Sequence, residues 1–404
     1  MTSAYIHIPF CRRRCYYCDF PISVLGDQVN TNTSVTIQEY VEMLCQEIAL
    51  TPAWGEPLET VFFGGGTPSL LPVKALERIL ATIERQFGIA SQAEISLEVD
   101  PGTFTLKQLQ GYCQAGVNRL SLGVQAFQDE LLKICGRSHS LKDIFSAIEI
   151  LCQVGISNWS LDLISGLPHQ TLEQWQFSLE TAIKIAPKHL SCYDLVLESV
   201  TAFGKQYHPG EKPLPDDETA AQMYRLAQEI LTGAGYQHYE VSNYAQAGYQ
   251  CRHNRVYWEN RSYYGFGMGA ASYVKRQRFT RPRTRKDYYT WVQQLRESGG
   301  MIDEPETSEI DFILETLMLG LRLTEGINLS LIHQEFGKEI FQNILFCLQP
   351  YSEQGWVEFM GKEGEIGYFK EMDDLLEIER VRLTDPEGFL FSNTVLASLF
   401  EQLG

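Results

Sequence analysis

Six short apolar segments recur through the first half of this chain, each followed by a stretch with helical spacing. The strand candidates are residues 4–8, 60–63, 94–99, 119–124, 159–164 and 190–196. The helical candidates are residues 37–50, 72–87, 106–115, 141–154 and 172–185, with 218–231 after the last strand. Parallel strands need a long crossover, so this alternation predicts βα units around a parallel sheet. Six units in about 195 residues predict an α/β fold, an incomplete (β/α)6 barrel. Barrels of this kind bind ligands at the C-terminal strand ends, where the βα loops gather.

Chemistry-bearing residues fall in those loops. After the first strand comes AYIHIPFCRRRCYYCDF, in which Cys11, Cys15 and Cys18 are spaced C-x3-C-x2-C. Three thiolates within eight residues can fold around one centre. They cannot close a tetrahedral zinc site without a distant fourth ligand. A [4Fe–4S] cluster held by three cysteines instead keeps one iron open to a small molecule. The other seven cysteines are scattered singly and read as small buried hydrophobes. After the second strand, Gly64-Gly65-Gly66-Thr67-Pro68 lets backbone approach a ligand without steric obstruction. Glu98 ends the third strand and Gln125 the fourth, and Asp162 lies on the fifth. Arg137, in CGRSH, carries a planar fork suited to a carboxylate.

The cysteine spacing resembles the signature of the radical S-adenosylmethionine (SAM) superfamily. In that superfamily, SAM chelates the open iron and an electron from the cluster splits the sulfonium to a 5′-deoxyadenosyl radical. Within it, YIHIPFC, FFGGGTPS, LEVDPG, RLSLGVQ, GRSH and LDLISGLPHQT follow one another as in the coproporphyrinogen-oxidase-like branch. That branch holds the oxygen-independent coproporphyrinogen III oxidases and the HemW-type haem chaperones. The resemblance implies Cys11, Cys15 and Cys18 as cluster ligands, with Tyr5 packed beside the cluster and SAM. It implies Gly65, Gly66 and Thr67 at the methionyl amino end and Arg137 at the carboxylate. Glu98, Gln125 and Asp162 are left for the remaining polar groups of SAM, the ribose hydroxyls among them.

Two features separate oxidase from chaperone. The oxidase-type motif resembles C-x3-C-x2-C-x-C, and this chain has Phe20 at the fourth position, with no thiol to offer. Further on, His253-Asn254-Arg255-Val256-Tyr257-Trp258 resembles the HNxxYW element of HemW-type haem chaperones. Imidazole ligates iron, and the rings of Tyr257 and Trp258 can cover a porphyrin. Residues 252–286 hold ten Lys/Arg against one acidic residue, which suits propionates. The resemblance implies His253, Asn254, Tyr257 and Trp258 as the haem site. The run Gly265-Phe266-Gly267-Met268-Gly269 resembles one that faces the cofactor or substrate cavity in this branch. The implied function is haem binding and delivery to an apoprotein acceptor, with an electron donor wherever the cluster is reduced. The alternative is radical-SAM decarboxylation of coproporphyrinogen III. No residue is assigned a catalytic role.

Three domains are expected: the barrel over residues 1–235, an extension carrying the haem segment over 236–300, and an acidic unit over 301–404. The last follows the order of a small winged-helix-like α+β module, and residues 281–287 read as a connecting loop. It carries 21 Asp/Glu against 6 Lys/Arg, which argues against a nucleic-acid partner. No run reaches the ~18 apolar residues of a membrane-spanning helix. No secretory signal is visible, because Arg12–Arg14 follow the short apolar start. The expected location is cytoplasmic, and peripheral contact with a membrane-bound acceptor is compatible with it.

Overall fold

The computed structural model describes residues 1–27, 30–302, 305–361, 364–367 and 378–404. It divides into two compact units that are interleaved in the sequence. The first is Met1–Met223, Cys251–His253 and Ser262–Glu306; the second is Tyr224–Gln250, Asn254–Arg261 and Thr307–Gly404.

The first unit is built on parallel strands β1 (Ser3–Ile8), β2 (Leu58–Gly65), β3 (Ile89–Val99), β4 (Arg119–Gln125), β5 (Trp159–Ser165) and β6 (His189–Asp194). Between them run helices α1 (Val35–Leu50), α2 (Val73–Phe87), α3 (Leu106–Gln114), α4 (Leu141–Val154) and α5 (Leu172–Ile185). These elements match the six expected βα units to within a few residues. Helix starts are set locally. Ser34 and Thr105 cap α1 and α3, and Ser140/Asp143 and Thr171/Gln174 form capping boxes at α4 and α5. On α2, Leu76, Ile79, Leu80 and Ile83 are buried at the i, i+3, i+4, i+7 spacing of one helix face.

The strands alternate two kinds of side chain. In β4, Leu120, Leu122 and Val124 are fully buried. Between them, Ser121 bonds to Ser160 and Asp162 on the neighbouring strand. With successive side chains on opposite faces, one face packs apolar and the other lines the barrel with small and polar groups. That polar lining supplies most of the candidate site.

A seventh parallel strand, β7 (Tyr264–Phe266), pairs with β1 on the side away from β2, with Tyr5 opposite Gly265. The run 265–269 thus begins in this strand, beside Tyr5. Gly265 lies in the sheet, where a Cβ would strike the carbonyl oxygen of Ala271, and Gly267 lies against Tyr40 and His7. The expected connecting loop at 281–287 is corrected. Arg281 is a core residue whose Nε donates to buried Glu47 at 2.7 Å, and helix Arg285–Glu297 starts within that run. Glu47 also accepts from Tyr288 (2.5 Å) and from the Gly267 amide (2.8 Å), while Arg281 donates to Ser272 (2.5 Å).

The second unit contains the hairpin Gln237–Glu240/Asn243–Ala245 and helix Glu309–Gly320. An antiparallel sheet follows, in the order Ile327–Asn328, Ile378–Leu383, Val357–Gly361, Ile366–Gly367. Its helices pack Leu317, Phe341, Ile344, Leu348, Val395 and Leu399 onto Phe359, Val381 and Leu383. Helix Leu329–Glu353 breaks at Gly337, whose φ of +86° suits glycine, so the two expected helices meet there. The expected order of three helices, then strands and a last helix stands, with the short strand Ile327–Asn328 added after the first helix and a short helix, Glu387–Leu390, before the last. No helix among the described residues is long and apolar enough to cross a membrane.

Candidate functional site

The cysteine loop leaves the C-terminal end of β1. Phe10–Cys11 pairs in parallel with Ser23–Val24, and the Ser23 amide donates to Pro9 O at 2.6 Å. The segment carrying Cys15 and Cys18 is thereby closed into a loop. Within it the Cys18 amide donates to Cys15 O (3.2 Å), and Arg14 donates to the carbonyls of Cys18 and Phe20. The Tyr16 amide ties the loop to Cys135 O at 3.0 Å. All three cysteines are free and half-buried. Burial pushes the Cys11 thiol up to about 12, against a hydrogen bond from Thr67, and the nearby Asp100, Cys15 and Cys18 add to the rise. Two sulfurs already have donors: Thr67 Oγ1 at 3.7 Å from Cys11 and Arg137 Nη1 at 3.5 Å from Cys15.

The glycine loop at the end of β2 is laced to the cysteine loop through backbone. Gly66 N donates to Ile8 O (2.8 Å) and Thr67 N to Phe10 O (2.7 Å). A Cβ on Gly66 would sit 2.8 Å from Phe10 O, so only glycine permits this approach. Gly65 has φ +109° and gives its amide to Glu98 Oε2 at 3.1 Å. Thr67 Oγ1 also reaches Asp100 at 3.2 Å.

Asp100 is the residue that the sequence reading missed, although it stands two places after Glu98 in LEVDPG. It forms an ion pair with Arg137, which also donates to Gly123 O at 3.1 Å. The Arg137 side chain is only 8% exposed, and its buried Nε has no partner among the described residues. A buried guanidinium nitrogen without a partner is costly, and a ligand acceptor would relieve it. The Gln125 amide and Asp100 both crowd the space over Gly123, and Gln125 itself has φ +68°. Deeper in the barrel, burial raises the Glu98 carboxyl to about 8, helped by Asp162. Burial also raises Asp162, against hydrogen bonds that include Ser121 at 2.8 Å. Tyr5 OH bonds to His7 Nδ1 (3.1 Å), and His7 Nε2 to Pro21 O (2.9 Å). Burial holds the His7 pKa near 4, so the neutral ring donates from Nε2 to the carbonyl and accepts from Tyr5. The sequence reading missed His7 too, because its role depends on a carbonyl 14 residues away.

The structure therefore gathers the cysteine loop, the glycine loop, Tyr5, Glu98, Gln125 and Arg137 at one end of the barrel, with Asp162 just below. His253 is not among them. It opens helix Arg252–Trp258, whose first amides, of Arg252 and His253, both donate to Glu94 at 3.2 Å. Its ring is 1% exposed, bonds through Nδ1 to Thr60 Oγ1 at 2.8 Å, and stacks on Phe62 at 5.2 Å. Thr60 precedes Gly65 by five residues of β2, which at ~3.3 Å per residue is roughly 16 Å from the glycine loop. Asn254, Tyr257 and Trp258 are half-buried and fall in the second unit. Arg255, beside them, pairs with Glu259 and Glu325.

Known proteins resemble this chain over its whole length. The model of the Radical SAM superfamily matches residues 5–182, and that of the HemN C-terminal domain matches 307–362. Heme chaperone HemW of Synechocystis sp. is 50% identical over 402 residues, covering 100% of this chain and 97% of the relative. Heme chaperone HemW of Bacillus subtilis is 36% identical over 361 residues, covering 88% and 93%. Among solved structures, the radical SAM enzyme coproporphyrinogen III oxidase (HemN) of Escherichia coli superposes with a TM-score of 0.79. Its identity is 24%, over 98% of this chain and 89% of that one, a likeness of fold. By its full-length identity to these chaperones, the chain belongs to the HemW family of haem chaperones, within the radical SAM superfamily.

Proposed function

We propose that this protein binds haem and passes it to an apoprotein acceptor, and that a SAM-ligated [4Fe–4S] cluster takes part in the handover. Membership of the radical SAM superfamily implies SAM and the cluster. The barrel end suits both in its donors. Three thiols share one neighbourhood, Thr67 and Arg137 donate to two of them, and Arg137 Nε waits for an acceptor. Cys11, Cys15 and Cys18 hold the cluster on this reading. Gly65, Gly66 and Thr67 take the amino end of SAM and Arg137 its carboxylate; Glu98, Gln125 and Asp162 take the remaining polar groups. Tyr5 packs alongside. When bound and reduced, such a cluster supplies one electron to the sulfonium of SAM. What the protein does is hold the loops in register and keep Glu98 protonated through neutral pH.

Haem falls to the HNxxYW segment, with His253 as iron ligand, Tyr257 and Trp258 against the porphyrin, and Asn254 beside them. His253 reaches an iron only by leaving Thr60 and Phe62. The observation that carries the chaperone reading over the oxidase is Phe20. It is 55% exposed beside the cysteine loop and can neither bind metal nor relay a proton.

The test is anaerobic. Cluster-loaded protein is charged with haemin and mixed with a b-type apocytochrome, and transfer is followed by the acceptor's spectrum. Transfer that needs an intact cluster is the expected result. Conversion of coproporphyrinogen III to protoporphyrinogen by the reduced protein with SAM would overturn it.

A further inference from the structure

The guanidinium of Arg137 has five N–H groups, and four of them meet acceptors. Nη2 donates to Asp100 Oδ1 and to Gly123 O (3.1 Å), and Nη1 to the Cys15 sulfur and Tyr17 OH, each at 3.5 Å. The fifth group, on buried Nε, has no acceptor among the described residues. Asp100 is itself held from behind. Its amide donates to Ser69 Oγ (3.2 Å), and its carbonyl accepts from the amide and the hydroxyl of Thr103 (3.2 and 2.6 Å). Its Oδ2 accepts from Thr67 at 3.2 Å. Thr67 has one hydroxyl proton for Asp100 and Cys11 together, whereas Arg137 meets Asp100 and Cys15 through separate N–H groups. The guanidinium can therefore satisfy both partners at once, and the hydroxyl cannot.

Resting on the SAM and cluster assignments above, we infer that Asp100 is a positioning residue for SAM, acting through the guanidinium of Arg137. Held at its Nη2 edge by Asp100 and Gly123 O, the planar fork has one orientation left. That orientation gives Nη1 to the Cys15 sulfur and leaves Nε for the carboxylate of SAM. A long side chain that is already fixed loses little rotamer freedom when its ligand arrives, so the ligand binds more tightly than to a loose one. Asp100 is suited to this because its backbone is tied to the segment after the glycine loop, through Ser69, and to its own turn, through Thr103. It relates the arginine to the loop that takes the other end of the methionyl group.

The experiment uses full-length protein with an oxidised, reconstituted cluster under anaerobic conditions, so that SAM stays uncleaved. SAM affinity is measured by calorimetry and iron is counted on the same samples. Asp100→Ala is expected to weaken SAM by about tenfold, a coupling of the size found within one hydrogen-bond network, with iron content unchanged. Asp100→Asn keeps an oxygen for Nη2 and is expected to stay within about threefold of the unaltered protein. In an Arg137→Ala background, Asp100→Ala is expected to weaken SAM no further. Should Asp100→Ala not load iron, Asp100→Glu enters the same cycle: it keeps the charge, displaces the guanidinium by a methylene and is expected to weaken SAM. Unaltered affinity in Asp100→Ala, or an equal loss in Asp100→Asn, overturns the inference. A loss that persists without Arg137 overturns it too, because Asp100 would then act on SAM by its own charge. Each of these outcomes leaves the SAM site standing, whereas unaltered SAM affinity in Arg137→Ala overturns the carboxylate assignment and the inference together.

Discussion

Two buried arginine–carboxylate pairs in the first unit look alike on paper and differ in what surrounds them. Arg281–Glu47 is closed: its side chains are 1% and 0% exposed. Glu47 is filled by Arg281, Tyr288 and the Gly267 amide, and Arg281 also reaches Ser272. Arg137–Asp100 is open. It lies at the strand ends, shares its donors with a cysteine sulfur and a backbone carbonyl, and keeps a buried nitrogen without a partner. A satisfied network fastens chain segments together; an unsatisfied one is shaped for something else to complete it. The first pair joins α1 to the segment after β7, and the second faces the candidate SAM site.

The comparison breaks if the two pairs respond alike to mutation. The largest effect is expected for Arg281→Met, which leaves Glu47 buried without its cation and should cost about 3–5 kcal/mol in denaturant unfolding. Arg137→Ala should cost less stability but weaken SAM binding by calorimetry. A charged hydrogen bond is worth roughly 1.5–3 kcal/mol, so a loss of about tenfold or more is expected. If Arg137→Ala unfolds the protein as Arg281→Met does and leaves SAM affinity intact, the distinction is wrong. A smaller effect concerns Glu98. Its folded form holds a proton up to about pH 8, well beyond the unfolded carboxyl. The contribution of this carboxyl to stability is therefore fully present below about pH 4.5 and is lost as pH rises through 8. Glu98→Gln should flatten part of that decline in Tm. Glu240 in the second unit, also near 8, and the raised carboxyls of Asp162 and Asp194 contribute to the rest, so an unchanged slope would remove Glu98 from the account. The smallest effect sharpens the contrast from outside: Arg13–Asp27 is exposed on both sides, and Asp27→Ala should leave Tm unmoved.

What could be read from the sequence follows the range of the interactions. The six βα units, the capping residues and the C-terminal order of helices and strands rest on patterns within a few residues, and they stand where expected. The cysteine loop, the glycine loop, Glu98 and Arg137 were legible because each closes a strand or a short motif. Strand β7 was not, since Tyr264–Phe266 is three residues long, with Gly265 inside it and Gly267 after it giving the look of a loop. Arg281 was not, because the run around it is polar and Glu47 lies 234 residues earlier. His253 shows the same limit. Its motif names a chemistry, but no local pattern announces that Thr60, Phe62 and Glu94 enclose it.

The two main-chain hydrogen bonds from Gly66 and Thr67 to Ile8 and Phe10 carry a consequence of their own. They set the spacing between the thiols and the glycine amides with peptide groups alone. Side chains of the cysteine loop can then change without disturbing how far apart the two loops stand, whereas Gly66 cannot, since a Cβ there would strike Phe10 O.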